Sequence, residues 1–139
     1  MRYLGLDVGS KTIGIAVSDL LGLTAQGITT IQRKSLEHDL LELEKYIKEY
    51  HAEAFVIGLP KNMDGSLGPT AELVQEFADV LQTRFSLPLR FWDERLTTVS
   101  ATRVLLEGDV SRKKRKQVVD KLAAVFILQG FLDSLGYKN

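Results

Sequence analysis

Two apolar segments joined by a short polar turn open the chain, in the stretch YLGLDVGSKTIGIAVS (Tyr3–Ser18). The first segment, Tyr3–Val8, is mostly apolar, and the second, Thr12–Ser18, alternates branched aliphatic residues with small ones. A period of two is typical of β-strands, and a tight turn between two strands makes them an antiparallel hairpin. A further strand over Gln26–Gln32 extends this hairpin to three predicted strands.

Beyond the hairpin, apolar residues recur at helical spacing and alternate with short strands. Ser35 is positioned to cap a first helix, and a second helix carries an apolar stripe that includes Leu73. The predicted elements are a helix from Leu36, a strand over Ala54–Gly58, a helix over Thr70–Phe85, a strand over Leu89–Trp92, a short helix over Thr98–Leu106 and a long helix over Arg115–Leu135. This order predicts an α/β protein with a mixed sheet and helices on both faces. Ligands of such sheets bind beyond the carboxyl ends of the parallel strands.

Length and composition restrict the class of protein. The 139 residues predict one domain, residues 1–139, long enough to bury a core. Equal numbers of basic and acidic residues, 18 of each, exclude a uniformly basic coat protein and an acidic disordered chain. The absence of cysteine excludes disulfides and thiolate zinc sites. No apolar run approaches the roughly 20 residues that cross a bilayer, so we expect a cytoplasmic protein without a membrane partner.

The zero net charge conceals a separation of charge along the chain. Glu37–Glu53 carries a net charge of −4, and Arg103–Lys121 carries a net charge of +4. The basic segment includes five consecutive cations, Arg112, Lys113, Lys114, Arg115 and Lys116, which the nearby glycine and serine suggest form a mobile loop before the last helix. Such a run is either a feature unrelated to substrate, such as a solvated surface or a localisation signal, or a contact for a phosphate backbone. Its position shortly before Asp120 favours the second interpretation.

Acidic residues occur at three places where the pattern calls for buried residues. Asp7 lies within the first strand, and Asp93 and Glu94 follow the fifth. Asp120 shares its helical face with apolar residues three, four and seven positions later. A buried carboxylate is costly unless it is paired, hydrogen-bonded or bound to a metal. Simpler roles are open to each acid, such as capping a turn or a helix, or pairing with Arg95.

Three carboxylates from two strand ends and one helix suit Mg²⁺ or Mn²⁺, which prefer oxygen ligands and also coordinate phosphate. Two such ions can stabilise the attacking and leaving oxygens of a phosphodiester. The only histidines, His38 and His51, are predicted to be surface residues beside the acidic helix and not metal ligands. The spacing does not decide whether Asp93 or Glu94 is the ligand.

Several polar residues near these acids are candidate substrate contacts. Lys11 lies in the first turn, close in sequence to Asp7, and Lys61 and Asn62 lie in the loop after the fourth strand. Arg95 adjoins the acidic pair. Each could instead be an ordinary solvated residue of a connection.

Taken together, the motifs resemble the YqgF/RuvX family of Holliday-junction resolvases and pre-16S rRNA nucleases. The matching segments are residues 5–14, residues 16–19, Gly58-Leu59-Pro60 with Met63-Asp64-Gly65-Ser66, residues 93–98, and Asp120-Lys121-Leu122-Ala123-Ala124 with residues 127–129. The resemblance implies an RNase H-like fold with a five-stranded mixed sheet whose first three strands are antiparallel. It also implies that Asp7, Glu94 and Asp120 are the catalytic, metal-binding acids.

The resemblance favours a metal-dependent nuclease that processes the 5′ end of pre-16S rRNA in ribosome biogenesis. A Holliday-junction resolvase is the alternative, and a non-catalytic nucleic-acid-binding or ribosome-assembly factor is an alternative of another class. An actin-like phosphotransferase needs a second domain that this length does not provide, so no nucleotide cofactor is expected. The expected partner is structured RNA or branched DNA. No dimerisation stripe is evident, which slightly favours a monomer.

Overall fold

The computed structural model of the chain describes residues 1–96 and 112–136, with the backbone alone described for residues 112–120. Its centre is a five-stranded sheet in the order β3-β2-β1-β4-β5. The strands are β1 (Tyr3–Val8), β2 (Thr12–Ser18), β3 (Ala25–Gln32), β4 (Ala54–Leu59) and β5 (Leu89–Asp93). The pairs β1–β2 and β2–β3 are antiparallel, whereas β1–β4 and β4–β5 are parallel. The predicted mixed sheet with three antiparallel strands is therefore confirmed.

In the part of the chain that the structure describes, three long helices flank the sheet: α1 (Leu36–Tyr50), α2 (Pro69–Phe85) and α3 (Arg112–Gly136). The predicted cap of α1 is confirmed, because the Ser35 hydroxyl accepts a hydrogen bond from the His38 N–H at 3.1 Å. A short 3-10 helix, residues 94–96, follows β5 directly. The predicted helix over residues 98–106 lies outside the described residues.

Helices α1 and α2 share one face of the sheet and enclose the larger core. This core consists mainly of branched aliphatic residues and phenylalanines, including Leu6, Ile15, Phe55, Leu43 and Leu81. The buried stripe of α2 is narrower than predicted, because Leu73 is 63% exposed. The fully buried positions of α2 are centred on Val74, Ala78 and Leu81, and Leu73 falls at the edge of that stripe.

Helix α3 covers the other face of the sheet and approaches it very closely. A Cβ atom at Gly5 of β1 would lie only 2.7 Å from the Leu128 Cβ of this helix. The helix begins at Arg112, three residues before the predicted start, so the run of five cations forms its first turns. The prediction that these cations form a loop before the helix is wrong, because the backbone there is already helical.

Among the described residues, none of the helices has the length and apolar character needed to cross a membrane.

Candidate active site

Asp7 lies near the carboxyl end of β1, on the face that α3 covers. Two residues earlier on that face, a Cβ at Gly5 would lie 3.3 Å from the Ala124 carbonyl oxygen of the helix. At the start of the strand, the Tyr3 ring packs edge-on against Phe131, with centroids 5.2 Å apart. Going from Tyr3 to Gly5 along β1, the contacted residue of the helix changes from Phe131 to Ala124. The strand and the helix therefore run antiparallel. The beginning of α3 therefore lies at the same end of the sheet as Asp7.

Glu94 follows β5, and its carboxylate reaches over the backbone of the neighbouring strand. A Cβ on Gly58 of β4 would lie 3.0 Å from Glu94 Oε1, so the absence of a side chain at this position makes room for the carboxylate. The parallel register of β1 and β4 ends at Leu6 and Ile57, and one residue further Asp7 comes beside Gly58. Asp7 and Glu94, both half-buried, therefore lie at the same edge and on the same face of the sheet.

Asp120 belongs to α3, but its side chain lies outside the described residues. The helix stripe that meets the sheet includes the buried residues Ala123, Ala124, Ile127 and Leu128. Position 120 is one helical turn before Ala124, which places its backbone towards the end of the sheet that carries Asp7. Among the side chains that the structure describes, no group of three or more potential ligands is found. The role of Asp120 stays a prediction.

Asp93 makes an ion pair with Arg95, two residues further along the chain. Its Oδ2 atom lies 2.7 Å from Arg95 Nη2, and its Oδ1 atom accepts a hydrogen bond from the Arg95 backbone N–H at 2.9 Å. The hydrogen bond from the Arg95 side chain is the main reason that the pKa of Asp93 lies below its ordinary value. Asp93 therefore has a structural partner in Arg95, and the assignment of Glu94 as the metal ligand stays a prediction.

Arg95 also ties this ion pair to the loop after β4. Its Nη1 atom donates to the Met63 carbonyl oxygen at 3.3 Å and lies 3.5 Å from that of Asn62. The loop is a small ordered turn in which the Asn62 amide donates to Ser66 Oγ at 3.0 Å and the Ser66 N–H donates to Asp64 Oδ1 at 2.9 Å. The structure thus places Asn62 and Arg95 in one hydrogen-bonded assembly beside Asp93.

The predicted cationic contacts occupy two places near this edge. Lys11 is exposed in the β1–β2 turn, which the Gly9 N–H closes by donating to the Thr12 carbonyl oxygen at 2.9 Å. Lys61 begins the β4 loop and forms an isolated bridge with Leu67. The run at residues 112–116 begins α3, at the end of the sheet that carries Asp7; its side chains lie outside the described residues. Whether these residues bind substrate stays a prediction.

A buried ion pair that the sequence analysis missed supports the same turn from the other face. Asp39 is only 2% exposed, and its Oδ2 atom accepts a hydrogen bond from Arg33 Nε at 3.0 Å. Arg33 in turn donates from Nη1 to the Gly9 carbonyl oxygen at 2.8 Å. The Arg33 backbone N–H donates to the Lys11 carbonyl oxygen. Burial raises the pKa of Asp39, but hydrogen bonds from Arg33, His38 and the Lys34 N–H outweigh it and lower the pKa overall.

The sequence contained a signal for this ion pair. Asp39 precedes the buried Leu43 by one helical turn, so it is an acid on an apolar stripe. The same criterion identified Asp120. The prediction that His38 is a simple surface residue is also incomplete, because its Nδ1 atom lies 3.2 Å from Asp39 Oδ1 and its side chain is 31% exposed.

Comparison with solved structures defines the class of fold. The chain is similar to Thermus thermophilus RuvC in complex with a Holliday junction substrate, with a TM-score of 0.59, 14% identity and coverage of 98% of this chain and 96% of that chain. It is also similar to the fowlpox virus Holliday junction resolvase, with a TM-score of 0.53, 12% identity and coverage of 96% and 99%. At these identities the likeness shows the fold alone. It confirms the predicted RNase H-like architecture.

Sequence comparison places the chain in a narrower group. The model of the RuvX family, described as Holliday junction resolvase, matches residues 1–134. The chain is 60% identical over 136 residues to a Moorella thermoacetica protein, covering 98% of this chain and 97% of that protein. It is 59% identical over 135 residues to a Clostridium botulinum protein, covering 97% and 98%. Both relatives are named "Putative pre-16S rRNA nuclease". The chain belongs to the RuvX family, as its motifs predicted.

Proposed function

We propose that this protein is a metal-dependent nuclease that hydrolyses phosphodiester bonds, most directly in 5′-end processing of pre-16S rRNA. The observation that carries the proposal is the meeting of Asp7 and Glu94 at one edge and on one face of the sheet. Helix α3, which contains Asp120, starts at that same end. Relatives that are about 60% identical over nearly the whole chain are named "Putative pre-16S rRNA nuclease".

The donor set fits Mg²⁺ or Mn²⁺. Carboxylate oxygens are the ligands that these ions prefer, and Gly58 leaves room above β4 for the Glu94 carboxylate. Asp7, Glu94 and Asp120 would hold the metal, with Asp7 as the ligand from the central strand. When bound, two such ions lower the pKa of the attacking water and stabilise the leaving oxygen of the phosphodiester.

The protein's cations would hold the nucleic acid on both sides of this edge. Lys11 projects from the turn that follows Asp7, and the five cations from Arg112 to Lys116 begin the helix that carries Asp120. Together they would bind the phosphate backbone and position one phosphate beside the acids. Lys61 would contribute from the β4 loop. Asn62 and Arg95 would keep that loop in place, since the Arg95 guanidinium already engages Asp93 and the loop carbonyls.

A second candidate function is resolution of branched DNA. The description of the RuvX family as Holliday junction resolvase favours it. A junction with two-fold symmetry suits a dimeric enzyme, whereas we expect this protein to act as a cytoplasmic monomer, which favours RNA. A non-catalytic assembly factor would bind RNA through the cations alone and would have no need for the acids.

Parallel cleavage assays test this proposal. Purified protein is titrated with Mn²⁺ or Mg²⁺ in the presence of either a pre-16S rRNA 5′-leader fragment or a four-way DNA junction of matched length. We expect metal-dependent cleavage of the RNA, and we expect Asp7→Asn to reduce it by about 100-fold or more, because the metal site contributes several kcal/mol of transition-state stabilisation.

The matched control is Asp79→Asn, which makes the same change at an exposed acid of α2. This variant should cleave like the unaltered protein. Preferential cutting of the junction would assign the resolvase function instead. If the protein bound the RNA but cleaved neither substrate at any metal concentration, the result would indicate the non-catalytic factor.

A further inference from the structure

A cavity opens at the same end of the sheet as Asp7 but on the opposite face. It lies between α1, α2 and the β1–β2 turn and has a volume of about 670 Å³, which is within the usual range of small-molecule sites. Apolar side chains supply most of its wall, among them Leu36, Leu73, Val74 and Val80. The proposed metal site uses none of these residues, so the cavity needs its own explanation.

Only a short turn separates this cavity from the candidate acids. Asp7 and Val8 are consecutive in β1, so their side chains point to opposite faces of the sheet. Val8, Gly9 and Ser10 line the cavity. A nucleic-acid strand with one phosphate beside Asp7 would therefore bring an adjacent nucleotide across the turn to the mouth of the cavity.

The charges around the cavity do not select an anion. The cations Arg33 and Lys34 are balanced by the acids Asp39 and Glu76, all of which line it. The Arg33 guanidinium is also already bonded to Asp39 and to the Gly9 carbonyl oxygen. A neutral group therefore suits the cavity better than a phosphate does.

The walls of the cavity match a flat heteroaromatic group. Arg33 places its guanidinium over the Phe77 ring, 4.9 Å from the centroid, which fixes this planar group in the cavity wall. Leu36 and Leu73, which also line the cavity, are 48% and 63% exposed although both are large and apolar. Unstacked nucleobases bind against guanidinium planes and apolar side chains, and hydroxyls such as that of Thr70 can contact their edges.

We propose that this cavity binds one nucleobase of the substrate strand, turned out of its stack, next to the phosphate held at Asp7. The proposal rests on the proposed nuclease function and adds a substrate class to it. Turning out a base costs least where the nucleotide is already unpaired. The protein would therefore cut beside an unpaired nucleotide in preference to a continuous duplex.

Methyl NMR spectroscopy of the full chain tests binding without any cleavage. With EDTA present to remove divalent metal, the protein is titrated with adenosine and uridine, and separately with ribose 5-phosphate and inorganic phosphate. We expect the nucleosides to shift the methyl signals of Leu36, Leu73, Val74 and Val80, and the two phosphates to leave them in place. Shifts by phosphate alone, or no shifts at all, would overturn the proposal.

A matched pair of variants tests the location of binding. Leu73→Trp places an indole at the cavity mouth, whereas Leu41→Trp makes the same change at a leucine of α1 that is 46% exposed and does not line the cavity. We expect Leu73→Trp to weaken nucleoside binding by about tenfold, on the scale of base stacking, and to raise the KM for RNA similarly. Leu41→Trp should change neither, and equal behaviour of the two variants would overturn the proposal.

The two proposals fail separately. Nucleoside binding in the cavity by a protein that cuts no nucleic acid would refute the nuclease function and support the base site. If cleavage depends on metal and on Asp7 but the cavity binds no nucleoside, the nuclease function would be supported and the base site refuted.

Discussion

The two faces of the sheet are packed in opposite ways. Against α1 and α2, large residues such as Phe55 and Leu81 fill the space between sheet and helices. Against α3, the sheet presents Gly5, Gly27 and Gly58, at each of which a Cβ atom would come within 3.0 Å of a helix side-chain atom. The first arrangement stabilises the fold through buried area, and the second brings a helix backbone close to strand ends. We expect only the second to bring the acids of the strand ends together with Asp120 of the helix.

The largest expected effect tests whether the α1/α2 face serves stability alone. Phe55 is fully buried, so Phe55→Ala should lower the free energy of unfolding by about 3–5 kcal/mol. Because Phe55 does not adjoin the acids, the folded fraction should cleave RNA at nearly the unaltered rate. Urea unfolding measures the first quantity, and cleavage assays well below the melting temperature measure the second. Loss of activity in fully folded protein would show that the two faces are not separable.

The next effect tests the glycine face. Gly58→Ala would place a Cβ against Ile127 and 3.0 Å from Glu94 Oε1, so the helix or the carboxylate must move. We expect a loss of about 2–3 kcal/mol in unfolding free energy and a tenfold or greater loss of cleavage rate. The measurements are urea unfolding and single-turnover cleavage at saturating Mn²⁺.

Gly27→Ala is the matched control on the same face. Its Cβ would meet mainly the flexible Lys121 side chain, with Cγ 2.9 Å away, at a strand remote from Glu94. It should therefore cost some stability and little activity. If both alanines reduced cleavage equally, general loosening of α3 would explain the effect and the particular place of Glu94 would not.

Periodicity predicted most of the fold because each element has a clear pattern. The alternation in Thr12–Ser18 and the cap at Ser35 are local signals, and the structure has both elements at these places. The start of α3 was less predictable, because a run of five cations carries no apolar period even though such residues form helices well.

The candidate site was only partly predictable for a different reason. Asp7 is anomalous within its own strand, so the sequence identifies it directly. Spacing alone leaves Asp93 and Glu94 open, and only the family resemblance favours Glu94. The pairing of Asp93 with Arg95, two residues later, is one of several local contacts that the sequence permits, and the structure has it. Likewise, the acid on the apolar stripe of α1 has a meaning only when Arg33, six residues away, is seen to neutralise it.

The smallest expected effect concerns that acid, the one buried charge described on the stabilising face. Asp39→Asn should lower the unfolding free energy by about 1.5 kcal/mol at neutral pH, because it weakens charge-assisted hydrogen bonds from Arg33 and the Lys34 N–H. Since folding lowers the pKa of Asp39, its carboxylate contributes stability above the unfolded pKa of about 3.9, and this contribution disappears as the pH falls through the folded pKa. Urea unfolding at several pH values should therefore show the unaltered protein and the variant converging in acid, whereas Asp79→Asn should match the unaltered protein at neutral pH. A difference that stayed constant into acid would mean that Asp39 stabilises the α1/α2 face by its shape and not its charge. The two faces of the sheet would then differ more clearly, because charged side chains would have a role only where α3 meets the strand ends.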